Sequence, residues 1–403
     1  MLTRNEEKIK KILGELNHKS KPTIIFDQLI INFFNEIYIN LKDYKPARRF
    51  SDLMTFVFWC RKKNIEKLSK NYSTKLLVIG RGKVLHIAPS NVPMNFAYSF
   101  AFGMLSGNYN IVRLPSKNFI QINILCNTIS KICSKKKYKN LLSKFLFIKY
   151  ENSDVISKYL SQDVDARMIW GGDKTIKKFR SYDVPPRCVD LNFADRYSIS
   201  LIKISALTKL NEKNFSILIK NFYNDCYLMD QQGCSSPRTI IWISDENKIN
   251  DEKQSFIKKF WIKLDEYVKS NYSSDLSITN KKVNLLAFYS VESKIKFKTS
   301  LNNINVIRIQ LPHLSDEIEK INCSFGTFCE IRIKEISEIK KLISKKYQTA
   351  TYFGFDSMEL KKAILVNGIL GIDRIVPIGR AHYIGPLWDG YDIIYSLARI
   401  ISN

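Results

Sequence analysis

Residues 84–114 read VLHIAPSNVPMNFAYSFAFGMLSGNYNIVRL, and this stretch decides the fold class. An apolar strand over residues 84–88 is followed by a turn, an apolar helix over 94–105 and a second strand over 111–114. This order forms a βαβ unit, the building block of parallel sheets that bind nucleotides at the carboxyl ends of their strands. The sequence therefore predicts an α/β protein with a Rossmann-type nucleotide domain.

A second unit of the same kind follows over residues 145–181, with strands at 145–148 and 167–170 and helices at 155–160 and 174–181. Between its last strand and helix lies Gly171-Gly172-Asp173. Such a turn places backbone amides and the positive end of a helix where a pyrophosphate could bind. The alternative is a tight turn in which Asp173 caps the helix. No Gly-x-Gly-x-x-Gly or Walker sequence is present in this half, so these residues alone do not predict a nicotinamide cofactor.

The stretch Asp230-Gln231-Gln232-Gly233-Cys234-Ser235-Ser236-Pro237-Arg238 places a cysteine between an apolar-periodic helix and the strand over residues 239–243. Gly233 has no side chain and both serines are small, while Pro237 stiffens the exit, so we expect the sulfur of Cys234 to be accessible. A thiolate there could attack a carbonyl or thioester carbon. The alternative is a small buried apolar residue, as most free cysteines are.

Charge and cysteine content exclude several classes of protein. The chain has a formal net charge of +26, with Lys and Arg scattered among Ile- and Asn-rich helices. We therefore expect attraction of anionic ligands such as nucleotides and coenzyme A thioesters rather than binding of nucleic acid. The eight cysteines show no disulfide spacing and the N-terminal residues are charged, which predicts a cytoplasmic protein without a signal peptide.

Two apolar regions predict buried helices. Residues 87–112 carry no charged side chain, but prolines and asparagines interrupt them, so we expect a core helix and no membrane span. Residues 1–75 repeat apolar side chains at three- and four-residue spacing, which predicts helices without a chemical motif. Their aromatic faces could instead form a pocket for an acyl chain or touch a lipid surface.

Six segments taken together resemble the LuxC-type acyl-CoA reductases, a family that supplies fatty aldehyde, for example to bacterial luciferase. The resemblance runs in order from about residue 76 to residue 395, and beneath it lies a fainter similarity to the aldehyde dehydrogenase superfamily. The segments that carry it are His86–Pro93, Gly107–Leu114, Trp170–Asp173, Asp195–Ser198, Asp230–Pro237 and Asp373–Ala381.

The resemblance implies roles for two residues of the reaction centre. Cys234 matches the catalytic cysteine that becomes acylated, and Asn91 matches an amide that faces the developing oxyanion. The Asn91 side chain and the backbone N–H of Cys234 could donate to the same oxygen. The alternative for Asn91 is a turn-forming residue with a local backbone bond.

The resemblance also implies a cofactor site. Arg113, with Ser116 and Lys117 after it, matches the strand end that contacts the adenosine ribose. Two cations there favour a 2′-phosphate, so we expect NADPH rather than NADH. Gly171, Gly172 and Asp173 match the turn beside the pyrophosphate.

Two positions depart from the superfamily. Asn192 stands where aldehyde dehydrogenases have a glutamate base, and an asparagine cannot activate water. This substitution favours reduction of an activated acyl group, although Asp195 would be a base if the alignment is shifted. Cys323 replaces a ribose-binding glutamate, while Phe325 is expected to pack near the nicotinamide or, equally, in the core.

The histidines offer further candidates. His86 and His382 could each supply a proton, although His86 lies in an apolar strand and is expected to be a core residue. His313 follows Pro312 in a loop and has no evident role. No His, Cys and carboxylate cluster has the spacing of metal ligands, so we expect no metal.

The resemblance implies a fold of the aldehyde dehydrogenase type, with the active site between two domains. We expect N-terminal helices and an NADPH-binding domain over residues 1–205, a catalytic domain over 206–372, and a segment over 373–403 that returns to the cleft or an oligomer contact. The expected activity is NADPH-dependent reduction of a long-chain fatty acyl thioester, of coenzyme A or of a protein, to fatty aldehyde. The alternatives are a cysteine acyltransferase or thioesterase without a nucleotide, and a basic binding protein. Some members of the family act beside an acyl-protein synthetase and a thioesterase, and the superfamily is usually oligomeric.

Overall fold

The computed structural model describes residues 9–17, 21–72, 76–89, 92–244, 251–273, 278–280, 282–284, 287, 298–321 and 323–402. The chain forms two compact units, one over residues 1–195 and 384–403 and the other over residues 196–383. Each unit is built on a mostly parallel sheet with helices packed against it, which confirms the predicted α/β class.

The strands, in chain order, are β1 (Lys10–Gly14), β2 (Leu77–Gly80), β3 (Lys83–Ile87), β4 (Tyr109–Arg113), β5 (Phe145–Lys149), β6 (Ala166–Trp170), β7 (Val189–Phe193), β8 (Tyr197–Lys203), β9 (Thr239–Ile243), β10 (Lys298–Asn303), β11 (Val306–Gln310), β12 (Thr327–Ile333), β13 (Tyr347–Phe353), β14 (Arg374–Pro377), β15 (Leu387–Trp388), β16 (Tyr391–Asp392) and β17 (Ala398–Ile401).

The α-helices are α1 (Gln28–Leu41), α2 (Ser51–Trp59), α3 (Lys62–Ser69), α4 (Asn95–Leu105), α5 (Ile120–Cys133), α6 (Asp154–Ser161), α7 (Asp173–Arg180), α8 (Ile204–Leu207), α9 (Glu212–Tyr227), α10 (Asp251–Asn271), α11 (Ser357–Val366) and α12 (Ile393–Ser396). Short 3₁₀ helices lie at Ala47–Arg49, Lys70–Tyr72, Lys139–Lys144, Asp316–Lys320 and Ile336–Lys341.

The first unit contains a six-stranded sheet in the order β1-β5-β4-β3-β6-β7, in which only β1 is antiparallel to its neighbour. The βαβ unit predicted from residues 84–114 is β3-α4-β4, and its helix is buried from Phe96 to Leu105. Gly103 allows α4 to lie close to the sheet, because a Cβ atom there would fall 1.9 Å from Oδ1 of Asn110 on β4. The stretch without charges is therefore a core helix. Among the described residues, no helix combines the length and the apolar character needed to cross a membrane.

The second unit contains a seven-stranded sheet in the order β10-β11-β12-β9-β8-β13-β14, parallel except for β10. Successive residues of β9 point to opposite faces, so Ile241 and Ile243 join one buried cluster while Ile240 and Trp242 join the other. The sheet is therefore covered on both faces, as parallel sheets usually are.

The structure differs from the sequence analysis in three places. Residues 1–75 were expected to be helical, but Lys10–Gly14 is a strand that pairs with β5 and forms one edge of the sheet. The first domain was expected to end near residue 205, but β8 lies between β9 and β13 in the second sheet, so the units divide at Asp195. Residues 384–403 belong to the first unit, where β17 pairs with β2.

Candidate active site

Cys234 lies in the loop that connects α9 to β9, as the sequence predicted. Hydrogen bonds of a buried glutamine side chain fix the shape of this loop. Asp230 and Gln231 have left-handed backbone conformations, with φ of 51° and 59°. The buried side chain of Gln231 donates to the carbonyl of Pro237 at 2.9 Å and accepts from the backbone N–H of Gly326 at 3.0 Å. One glutamine thus closes the loop on itself and ties it to the turn before β12.

The sulfur and the backbone of Cys234 each have a hydrogen-bond partner from a neighbouring strand. The residue is half-buried. The hydroxyl of Ser198 on β8 donates to the Cys234 carbonyl at 2.6 Å and accepts from the backbone N–H of Thr349 at 3.2 Å. Nε2 of Gln348 on β13 donates to the Cys234 sulfur at 3.3 Å. The Cys234 sulfur and carbonyl are therefore held in place by the two strands β8 and β13.

The imidazole of His382 packs against the same loop. Nδ1 lies 3.3 Å from Oγ of Ser235, and Nε2 lies 3.4 Å from Oγ of Ser236. Gly233 leaves room for the ring, because a Cβ atom there would come within 3.1 Å of its Cε1 atom. Burial lowers the pKa of His382 to about 4, so the ring is neutral near pH 7. His382 is thus a neutral partner of the two serines beside Cys234.

A buried carboxylate and an arginine fix the turn that carries His382. Asp225 on α9 accepts hydrogen bonds from the backbone N–H groups of Gly379 and Ala381 at 2.6 and 2.9 Å, and burial raises its pKa to about 7. Arg374 on β14 donates to the carbonyls of Ala381 and Tyr383 at 3.0 and 3.1 Å. The segment 373–381, which the sequence analysis marked by resemblance alone, therefore holds the histidine against the cysteine loop.

Phe325 belongs to the turn that Gln231 ties to the Cys234 loop. Its backbone N–H donates to the carbonyl of Asp230 at 3.0 Å, and its φ is 54°. Its side chain is half-buried. Two residues earlier, Cys323 is fully buried with its sulfur 3.5 Å from that of Cys329, so the residue at the ribose-binding position faces the core.

The first unit has a cavity of about 450 Å³ at the carboxyl ends of β3, β4 and β6. Its lining includes Arg113, Ser116, Gly171, Gly172, Lys174 and Lys178. The first four were cofactor candidates in the sequence. The guanidinium of Arg113 lies 4.3 Å from the centre of the Tyr150 ring, which fixes its position at the end of β4.

The cavity wall differs in part from the predicted residue set. Lys117 and Asp173 are exposed and do not belong to the lining, although Asp173 is the first residue of α7. Lys174 and Lys178, four residues apart on α7, also line the cavity and were not among the residues predicted from the sequence. That spacing after the Gly-Gly turn was a readable signal, since residues at i and i+4 share one helix face. Lys178 also forms an ion pair with Asp154.

Two further candidates, Asn192 and His86, have clear positions, whereas Asn91 lies outside the described residues. Asn192 is on β7, and its buried Oδ1 atom has no hydrogen-bond partner within the part of the chain that the structure describes. His86 is fully buried, with Nδ1 2.8 Å from the hydroxyl of Ser99 and Nε2 2.9 Å from Oδ1 of Asn110. His86 is thus the satisfied core histidine that its apolar strand predicted.

The fold is that of the aldehyde dehydrogenases. Aldehyde dehydrogenase 21 from Physcomitrella patens, solved with the product succinate, matches with a TM-score of 0.62 and 10% identity over 93% of this chain and 85% of that protein. Lactaldehyde dehydrogenase from Escherichia coli matches with a TM-score of 0.60 and 11% identity over 92% of this chain and 85% of that protein. At such low identity the likeness shows the fold alone.

The family model for acyl-CoA reductase (LuxC) matches residues 62–402, and the chain belongs to this family. The long-chain acyl-protein thioester reductase of Aliivibrio fischeri is 21% identical over 340 residues, which cover 80% of this chain and 64% of that protein. The chain thus spans just under two thirds of the length of this relative. The family resemblance seen in the sequence is confirmed.

Proposed function

We propose that the protein reduces a long-chain fatty acyl thioester, of coenzyme A or of a protein, to fatty aldehyde through an acyl-Cys234 intermediate with NADPH. The observation that carries this proposal is the cavity in the first unit. A cysteine loop alone would also suit an acyltransferase or a thioesterase, whereas a basic cavity at the carboxyl ends of parallel strands suits a nucleotide. The name of the Aliivibrio fischeri relative supports the same activity.

The residues of the cavity fit the phosphates and ribose of NADPH. The first turn of α7 offers backbone N–H groups, and Lys174 and Lys178 add two cations on the same helix. The space beside Gly172 is open, because a Cβ atom there would meet nothing within 4 Å. Arg113 and Ser116 at the end of β4 would bind the ribose 2′-phosphate. When bound, NADPH supplies the hydride that reduces the acyl carbon.

In the first half of the proposed reaction, the Cys234 thiolate attacks the thioester carbonyl. A bond forms between the Cys234 sulfur and the acyl carbon, the bond to the donor thiol breaks, and that thiol leaves after taking a proton. The backbone N–H of Cys234 and the side chain of Asn91 would hold the oxyanion that forms during the attack. The fixed loop keeps the sulfur in one position for this step.

In the second half, addition of hydride to the acyl carbon gives a tetrahedral thiohemiacetal attached to Cys234. The oxyanion then re-forms a carbonyl, the carbon–sulfur bond breaks, aldehyde leaves and Cys234 returns as the thiolate. Water must not intercept the acyl-cysteine before this step. Asn192 stands at the position of the superfamily's glutamate base and cannot activate water, which favours reduction over hydrolysis.

The proposal is tested by labelling the protein with a radiolabelled long-chain acyl-CoA in a single turnover, with and without NADPH. We expect label to stay on the protein without NADPH, to leave as aldehyde when NADPH is added, and to be absent from Cys234→Ala. Cys188→Ala is the matched control, because Cys188 is also half-buried and burial raises the pKa of its thiol to about 11. Release of label only as free acid or ester, with no effect of NADPH, would contradict the proposal.

A further inference from the structure

The side chain of Gln348 contacts the sulfur that the proposed function makes reactive. Its Nε2 atom donates to the Cys234 sulfur at 3.3 Å, and the residue is completely buried. Buried amides are usually held by partners that satisfy both their donor and their acceptor. The partner of the Oε1 atom therefore decides whether Nε2 of Gln348 is fixed towards the Cys234 sulfur.

Two residues orient the Gln348 amide. The hydroxyl of Thr349 donates to Oε1 of Gln348 at 3.3 Å, and Nη1 of Arg374 donates to that hydroxyl at 3.3 Å. Because the guanidinium can only donate, the Thr349 hydroxyl accepts from it and turns its own proton towards Gln348. Oε1 is thereby occupied as an acceptor, and the amide presents N–H rather than carbonyl to the sulfur. The hydrogen bonds run from Arg374 through Thr349 and Gln348 to Cys234.

The backbone of β13 explains how neighbouring residues take part in one chain of hydrogen bonds. Side chains at adjacent strand positions normally point to opposite faces. The pairing of β13 with β8 is irregular between Tyr347 and Ala350, which places the irregularity at Gln348 and Thr349. On the other side of the strand, Thr349 is the register partner of Arg374. Strand irregularities commonly re-aim a side chain beside an active site.

We propose that Gln348 is a catalytic residue whose amide N–H stabilises the Cys234 thiolate, with Thr349 and Arg374 as the residues that position it. The inference rests on the proposed function, in which Cys234 is a thiolate twice: before it attacks the thioester and again when aldehyde leaves. A neutral amide suits both moments, because it stabilises negative charge on sulfur without accepting a proton from water. Hydrogen bonds to a charged group are about twice as strong as those between neutral groups.

The charged and titratable groups around the loop, within the described residues, include His382, Asp225, Arg374, Arg238 and Asp230. The Asp230 carboxylate accepts from the hydroxyl of Tyr272 at 2.7 Å. The ring nitrogens of His382 face the two serine hydroxyls, and the Asp225 carboxylate faces two backbone N–H groups. Arg374 is connected to the sulfur through the hydrogen bonds described above. Arg238 lies 5.7 Å from the centre of the Tyr197 ring. Gln348 thus connects Thr349 and Arg374 to the Cys234 sulfur.

The test is the pH dependence of iodoacetamide alkylation at Cys234, followed on the full-length protein by mass spectrometry of the peptide that contains it. Gln348→Met keeps the volume and removes the donor, so we expect the apparent pKa of Cys234 to rise by about one unit and alkylation at pH 7 to slow about tenfold. Thr349→Val removes only the hydroxyl that orients the amide, and we expect a smaller shift in the same direction, with alkylation slowed about threefold.

Thr351→Val is the matched control. It makes the same substitution two residues further along β13, where the hydroxyl donates to the carbonyl of Ile199 at 3.5 Å, and it should leave the alkylation profile unchanged. If Gln348→Met disturbs folding, as circular dichroism would show, the two threonine variants still decide the question. Equal alkylation profiles for Thr349→Val and Thr351→Val would overturn the inference.

The alkylation result is independent of the proposed reduction. Acyl-CoA labelling of the unaltered protein tests whether Cys234 is acylated, whereas alkylation tests whether Gln348 stabilises its thiolate. A protein that shows the pKa shift but takes no acyl label would refute the proposed function and support the contact. If the protein takes acyl label but Gln348→Met leaves the apparent pKa of Cys234 unchanged, the proposed function is supported and the role of Gln348 is refuted.

Discussion

The most direct test of the architecture of the first unit is Asp190→Asn, because Asp190 neutralises a buried arginine. Arg167 on β6 is only 1% exposed. Its Nε and Nη2 atoms donate to the two carboxylate oxygens of Asp190 at 2.7 and 2.6 Å. Its Nη1 atom donates to the carbonyl of Phe179 at 2.8 Å and to the hydroxyl of Ser161 at 3.3 Å. Arg167 thereby joins the strands β6 and β7 to the ends of α6 and α7.

The expected loss in the free energy of unfolding follows from leaving the buried Arg167 cation without its counter-charge. Removing one partner of a buried ion pair typically lowers the free energy of unfolding by about 3–5 kcal/mol. The Asp190 side chain is 24% exposed, so water can partly solvate the new amide, and we expect the lower end, about 3 kcal/mol. The asparagine would also turn N–H groups towards one of the guanidinium donors. Its volume is unchanged, so packing makes no contribution to this figure.

The assay is unfolding in urea at pH 7, with the midpoint and the slope m measured for each variant. Glu212→Gln is the matched control, since it neutralises a carboxylate whose ion pair with Lys259 lies at the surface, and it should leave the midpoint unchanged. A loss below about 1 kcal/mol for Asp190→Asn at constant m would refute the reasoning, because the buried guanidinium would then be solvated by other means.

Two further predictions concern a cofactor residue and a core residue. On the proposed function, Arg113→Leu weakens NADPH binding about tenfold, as expected for the loss of one charged hydrogen bond, and weakens NADH binding much less. Fluorescence titration measures both dissociation constants. Equal losses of affinity for the two nucleotides would contradict a 2′-phosphate contact. Burial lowers the pKa of His86 to about 4, so between pH 4 and 6.5 the unfolded chain binds more protons than the folded one. Lowering the pH from 7 to 5 should therefore reduce the free energy of unfolding by about 2 kcal/mol through His86. In urea unfolding, the free energy of unfolding of His86→Gln should therefore depend less on pH. The contribution of His382, which has the same direction, should remain.

The sequence was sufficient where local pattern and tertiary structure agree. The strand, helix and strand of residues 84–114 appear in the structure with ends shifted by at most two residues, because each element is largely buried and mostly apolar. Lys10–Gly14 became a strand against expectation because its partner is β5, more than a hundred residues away. The assignment of β8 to the second sheet likewise depends on strands that follow it by up to 150 residues.

The candidate site shows the same limit. Cys234 could be found from the sequence, since a glycine, two serines and a proline around a cysteine form a readable turn. Gln348 could not, because it stands in a strand pattern, and its role depends on the irregular pairing of β13 and on the approach of Thr349 and Arg374. His382 was one of two histidine candidates, with His86, until the structure placed its ring against the two serines.

The groups that contact the cysteine loop have a shared chemical character that bears on the choice between reduction and hydrolysis. The Cys234 sulfur accepts from a neutral amide, and His382 beside it has a pKa lowered to about 4. A base strong enough to activate water near pH 7 needs a conjugate-acid pKa close to that pH. Asp225 has such a pKa, about 7, but both of its oxygens accept backbone N–H bonds, so it serves the turn rather than a water molecule. On the proposed function, these described groups would therefore stabilise a thiolate without activating water, and an acyl group on Cys234 would persist until a hydride donor reaches it.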